Sequence, residues 1–178
     1  MLKYIVILII VLIVILIISF MISKKKIELI MLNINEATTN IDVLLKKKLE
    51  LLKSLEELVK AKIDINDLNI DFKKLEEEKL NNFEFNNRLK DIHNDLFKAI
   101  DMNKKVNKNK KILECLNELN DNEEDLFGVI HFYNDSVVTY NKLVISFPSK
   151  IWAVLLRYKK LKFYSNEKRE IFEILKND

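Results

Sequence analysis

FYNDSVVTYNKLVISFPS, residues 132–149, carries an internal repeat, an apolar stripe at helical spacing and the chain's one proline. Tyr133-Asn134 recurs as Tyr140-Asn141 seven residues later, a step that on an α-helix returns both pairs to within about 20° of one face. The repeat extends a register of Ile112, Leu116, Leu119, Glu123, Leu126, Ile130, Tyr133, Val137, Tyr140, Val144 and Phe147, which alternates steps of four and three and is interrupted only by Glu123. So long a seam needs a packing partner along its whole length. Pro148 predicts its end, because proline lacks a backbone donor and biases Phe147 away from helix. Asn134 and Asn141, placed beside the seam, are predicted to fix register by bonding to side chains or backbone of a neighbouring helix. A polar strip for a partner is the functional alternative.

The same residues carry a resemblance. FYNDSVVTYNKLVISFPS followed by IWAV is similar to the C-terminal signature of the LemA family, a pattern close to FYN-D-x-V-x-x-YN-x-x-I/V-x-x-FPS with an apolar run after it. Ile41-Asp42-Val43, Leu45-Lys46, Leu51, Leu55 and Val59-Lys60 resemble the family's first soluble helix, and Glu118-Leu119 with Glu123 resemble its EL-x-x-TE segment. Thr38 stands where the family usually has Trp, Lys53 where it has Pro, and Ile130-His131 where it has Arg. The His-Glu pair usual after the first helix is absent, and residues 62–105 carry no matching motif. The resemblance implies a membrane-anchored helical bundle acting as scaffold or adaptor. It also implies a protein partner, since some members are associated with membrane-bound metalloproteases.

Composition points the same way. One Gly and one Pro in 178 residues exclude a fold rich in hairpins and tight turns, and 49% hydrophobic residues are enough for a core. Thirty basic and 27 acidic residues leave a net charge of +3, too small to indicate a nucleic-acid binder. A single cysteine, Cys115, excludes an internal disulfide. Residues 4–22 are apolar apart from Ser19, and at 1.5 Å per residue they span about 28 Å, close to the thickness of a bilayer core. No small-x-small site follows the run, which favours a transmembrane anchor over a cleaved leader. Lys24, Lys25 and Lys26 outweigh Lys3 and the amino terminus, so the positive-inside rule places the remainder in the cytoplasm.

The expected fold is all-α: a transmembrane anchor over 1–23, then an antiparallel up-and-down bundle of long helices over 24–178 ending in short C-terminal helices. From Ile27 the steps Ile30, Ile34, Ala37, Ile41, Leu44, Lys48, Leu51, Leu55 and Leu58 predict one helix running out of the membrane to about Ala61. Leu45, Leu49, Leu52 and Val59 widen its stripe to the broad face of a bundle helix. Asp64, Asn66 and Asp67 suggest a turn and a cap. A second helix over about 68–100 is expected, bearing Leu68, Phe72, Leu75, Leu80, Phe83, Leu89, Ile92, Leu96 and Ile100. If it is antiparallel to the first, the basic turn after it returns Lys104, Lys105, Lys108, Lys110 and Lys111 beside Lys24–Lys26. Both clusters would then contact anionic lipid; the plain alternative is a solvated loop. Gly128, inside the third helix, implies close approach of another helix. In the tail, Ile151, Trp152 and Leu155 are candidate partner contacts. That tail is expected to fold back on the bundle about 55 Å from the membrane, although IWAVLLRYKKLKFY also has the composition of a surface-seeking helix.

No constellation carries catalysis. Neither His93 nor His131 has the Glu three residues before it that a di-iron bundle needs, and 121–125 lacks the glycine of a calcium loop. Cys115 reads as an inert packed thiol. Lys48 and Glu123 occupy seam positions, but parallel helices would set them about 18 Å apart in height, so no pair is expected. No cofactor, metal or enzyme activity is expected. The partners foreseen are the bilayer, another protein such as a membrane-bound protease, or a second copy of the chain, which satisfies a long seam equally well.

Overall fold

The computed structural model describes residues 2–65, 68, 70–103 and 106–164. Among these the regular elements are all α-helices: α1 (Leu2–Lys60), α2 (Phe72–Glu77), α3 (Asn82–Asp101), α4 (Lys110–Ile145) and α5 (Ser149–Leu155). The all-α class is as expected, and the first helix runs unbroken from the apolar stretch to Lys60. The chain forms two compact units, a central one of Thr38–His131 and a terminal one of Met1–Ala37 with Phe132–Asp178. Charge divides unevenly between them. The central unit carries 20 acidic and 17 basic residues, whereas the described part of the terminal unit carries ten basic against three acidic, a surplus of seven.

In the central unit α1 contributes Ile41, Leu45, Leu49, Leu52, Leu55 and Val59 to a core completed by Leu89, Leu96 and Ile100 of α3 and Ile112, Leu116, Leu119 and Leu126 of α4. α1 and α4 are antiparallel: Cys115 Sγ donates to the Leu51 carbonyl at 3.5 Å and Asn122 Nδ2 to the Leu44 carbonyl at 3.3 Å. The expected second helix is divided. Asp71 caps α2 by accepting from the Lys74 amide, and Asn81 opens α3 with a capping box closed by Glu84. The described residues between Lys60 and Asn81 form a return leg, to which Lys53 of α1 is tied by a 2.8 Å bond to Glu76 and by its place over the Phe72 ring. The lysine that replaces the family's proline thus ties α2 to α1. α3 then starts beside Asp42, which accepts from Asn82, and continues past Lys48 at Asn86, so it runs parallel to α1. The turn after α3 therefore lies at the Val59 end of α1. The antiparallel second helix that was to carry the lysine turn back is not present.

Two further expectations change. Among the described residues nothing lies within 4 Å of a Cβ built on Gly128, so none of their helices approaches there. Asn66 and Asp67 lie outside the described residues, and the caps that form are Asp71 and Asn81.

In the terminal unit residues 3–18 of α1 are exposed throughout, and burial begins only at Ser19, Phe20 and Ser23. The core joins Ile27 and Ile34 of α1 to Val137, Tyr140 and Val144 of α4 and Ala153 of α5. α4 ends at Ile145, and Phe147, the expected last seam residue, is 82% exposed. The Phe147–Pro148 peptide is cis, and Pro148 begins the turn into α5. α5 closes in a Schellman arrangement, with Tyr158 N–H on the Ala153 carbonyl and Arg157 N–H on that of Val154. Arg157 takes the left-handed position at φ 59° where glycine is usual. After it residues 158–163 belong to no helix or strand, and the span from Leu161 to Tyr164, tied at both ends to residues seven apart on α4, is extended.

Candidate functional site

The repeat of tyrosines and asparagines on α4 binds that extended segment. Asn141 Nδ2 donates to the Leu161 carbonyl at 3.0 Å, and the Leu161 amide donates back to Asn141 Oδ1 at 2.9 Å. One turned amide thus satisfies both peptide groups of a residue that no strand pairs. Asn134 Oδ1 accepts from the Tyr164 amide at 2.9 Å, and Tyr133 Oη donates to the Lys162 carbonyl at 3.2 Å. The spacing has a metric reason. Seven residues of helix rise about 10.5 Å, and three residues of extended chain cover about 10 Å, so Asn141 and Asn134 meet Leu161 and Tyr164 in step. Both amides are buried, as is Tyr140, while Tyr133 packs at the edge against the Tyr164 ring. Burial pushes the Tyr133 and Tyr140 hydroxyls up, Tyr158 adding to the second. The asparagines thus fix backbone, as expected, but their partner is an extended segment and not a helix.

The tail after Pro148 corrects the expectation that it lies far from the apolar run. Ser149 Oγ and Ser23 Oγ share a hydrogen bond at 3.1 Å, and Trp152 Nε1 donates to Ser19 Oγ at 3.4 Å. The Trp152 ring meets Phe20 edge to face at 5.0 Å. Of the candidate partner contacts, Trp152 is half-buried here while Ile151 and Leu155 are 49% and 68% exposed. Ser19, Ser23 and Ser149 are contributors that the sequence reading did not single out. For Ser19 a lone hydroxyl in an otherwise apolar run was the signal, because such a group needs a partner once water is excluded; Ser23, beside three lysines, and Ser149, between Pro148 and Lys150, carried none.

In the central unit Lys48 is fully buried, bonds Asn86 Oδ1 at 3.1 Å and forms an ion pair with Glu123. The pair was not expected, because its height difference was reckoned for parallel helices; α1 and α4 are antiparallel and bring the two level. Burial lowers the Lys48 ammonium from its usual range, with Glu123 opposing. Burial also lowers His93, Lys48 adding to the effect and Glu123 opposing it. Cys115 is buried beside the Leu51 carbonyl, and burial, then Glu118, pushes its thiol up, which disfavours the nucleophilic thiolate. Among the described residues no three His, Cys, Asp or Glu side chains gather as a metal set. Lys24, Lys25, Lys26, Lys108, Lys110 and Lys111 are exposed, and Lys104 and Lys105 lie outside the described residues.

These features define a helical-bundle protein with one N-terminal helix long and apolar enough to cross a membrane, its 18-residue apolar window reaching a mean hydropathy of 3.8. The sequence profile of the LemA family matches residues 37–174, and the chain belongs to that family. The match runs through residues 62–105, where no motif residue was recognised. No curated protein and no solved structure matches the chain.

Proposed function

We propose that the chain is a single-pass membrane protein whose helical bundle acts as a tethered scaffold or adaptor on the cytoplasmic side, with another protein as its partner. One observation carries the anchoring: the apolar window of α1 has none of its residues buried by the rest of the chain. A core helix of a soluble bundle would be covered, and about 28 Å of bare apolar helix has its natural solvent in lipid. Scaffolding is favoured over catalysis by the condition of the reactive groups, since the Cys115 thiol and the Lys48 amine are both buried and both committed to structural partners. The resemblance suggests a membrane-bound protease as partner, and a second copy of the chain is the other candidate. A second reading, contact with anionic lipid through Lys24–Lys26, draws support from the basic surplus of the terminal unit that holds them; the 104–111 cluster, part of the net-acidic central unit, has no such support.

Topology is the decisive test. With Cys115→Ser and Lys108→Cys, a membrane-impermeant maleimide applied to intact cells is expected to leave the protein unlabelled until the cells are opened. Labelling of intact cells would place the bundle outside and redirect the search for partners to envelope proteins.

A further inference from the structure

We infer that α5 and the turn after it form a second membrane contact, a short interfacial helix that dips into the headgroup and outer acyl layer beside α1. The inference rests on reading α1 as the anchor. Three observations on the terminal unit carry it.

The first is direction. Ser149 meets Ser23 and Trp152 meets Ser19, so α5 advances along α1 toward the apolar run as its numbering rises. Ser19 lies three residues inside the run that ends at Ile22, about 4.5 Å along the axis. The rest of α5 therefore reaches the depth of about 5–10 Å at which interfacial helices settle. Residues 158–164 then lead back along α4, as the bonds from Asn141 and Asn134 require. Entry and exit are thus on the same side.

The second is the distribution of apolar surface. Only Ala153 and Ser149 of α5 are buried, whereas Phe147, Ile151, Val154 and Leu155 are 82%, 49%, 70% and 68% exposed. Clustered apolar exposure of this kind needs an occupant, and the bare apolar surface of α1 is continuous with it through Phe20 and Trp152. A bilayer that accepts α1 covers this surface at the same time. The tryptophan is suited to the place, with its ring among apolar groups and its N–H satisfied by Ser19.

The third is charge. Lys150, Arg157 and Lys159 are exposed on α5 and the return segment, and Lys24, Lys25 and Lys26 on α1 follow the apolar run directly. Cations flanking an apolar dip complement anionic headgroups and can extend to them on their long stems. The left-handed Arg157 fits this account, since a cation occupies the turn where glycine would strain the backbone less.

Trp152 is the chain's one tryptophan, so the unmodified protein reports on the site. The full chain is reconstituted in vesicles containing anionic phosphatidylglycerol, with lipids brominated either near the headgroup end of the acyl chain or near its terminus. The expected result is a loss of Trp152 emission of about twofold or more with the shallow bromine, and a smaller loss with the deep one. A Trp152→Phe, Leu12→Trp double variant tests the anchor separately and should be quenched most by the deep bromine. If the double variant is quenched and the natural Trp152 is untouched by either lipid, α5 packs against protein and the inference is overturned while the anchor stands. If the double variant is not quenched, the anchor reading fails and the inference with it.

Discussion

Replacing Asn141 by leucine keeps the side chain's size and removes both hydrogen bonds to Leu161. Asn141 is 2% exposed, so water does not readily take over the two peptide groups it leaves. Each lost bond is worth about 1 kcal/mol net, and an orphaned buried group adds desolvation, which together set the penalty at about 2–3 kcal/mol. The loss is local, because the core formed by Val137, Tyr140 and Val144 with Ile27 and Ile34 does not depend on Leu161 alone. Segments released in this way exchange their amides without global unfolding. Since about 1.4 kcal/mol is a factor of ten, the Leu161 amide should exchange about 30- to 150-fold faster in Asn141→Leu, with the amides of α4 changed by less than about threefold. Asn134→Leu removes one bond and should speed the Tyr164 amide by about fivefold to tenfold. Hydrogen exchange of the full chain in detergent micelles, read by mass spectrometry of peptides spanning residues 156–164, measures both. An Asn141→Leu protein whose Leu161 peptide exchanges at the unaltered rate, or whose α4 exchanges equally fast, would refute the clasp as a separable device.

Other predictions concern the central unit. Lys48→Met removes the buried ammonium but leaves Asn86 Oδ1 without its donor and should cost about 1–2 kcal/mol, whereas Glu123→Gln, which leaves the buried ammonium without its counter-ion, should cost about 2–3 kcal/mol. The cost is lower than for fully enclosed pairs because the Glu123 side chain is 26% exposed; thermal unfolding in micelles should put the midpoint about 5–10 °C lower for Glu123→Gln. His93 titrates below its ordinary 6.5 in the folded chain, so the unfolded chain binds more protons between the two values and stability falls as pH drops through that window. His93→Gln should flatten the decline in melting temperature as the pH falls through 6.5. Gly128→Ala meets open space and should stabilise α4 by about 0.5–1 kcal/mol, measurable as a rise of about 2–4 °C; a fall would mean that an unseen neighbour approaches there.

Much of this architecture was legible from spacing. The steps of three and four from Ile27 to Leu58 and from Ile112 to Val144 trace the buried faces of α1 and α4, because burial on a helix repeats with its turn. Direction was not legible, and one segment accounts for that. Leu68, Phe72, Leu75, Leu80 and Phe83 share the apolar rhythm of a long helix, so the return leg between Lys60 and Asn81 went unseen. Asn81-x-x-Glu84 was its written trace, a capping box that announces a new helix. Missing one chain reversal inverted what followed: the end at which the lysine turn sits, the level of Glu123 against Lys48, and the side from which the tail approaches Ser19. The clasp was half legible. Seven-residue recurrence marked Asn134 and Asn141 as equivalent, but nothing in residues 161–164 marks them as extended, since that conformation is imposed by the bonds it receives.

The match between seven helical residues and three extended ones makes the tyrosine–asparagine repeat a gauge of length. One residue inserted between Asn134 and Asn141 would swing the second amide by about 100° and shift it by about 1.5 Å, beyond the reach of Leu161. Side chains between the two asparagines that face solvent, such as Asp135 and Thr139, can be exchanged without touching this measure. The count of residues cannot. Drift of sequence through this segment is therefore permitted where insertion and deletion are not, and a chain that lost the count would let go of its C-terminal arm while keeping every helix it has.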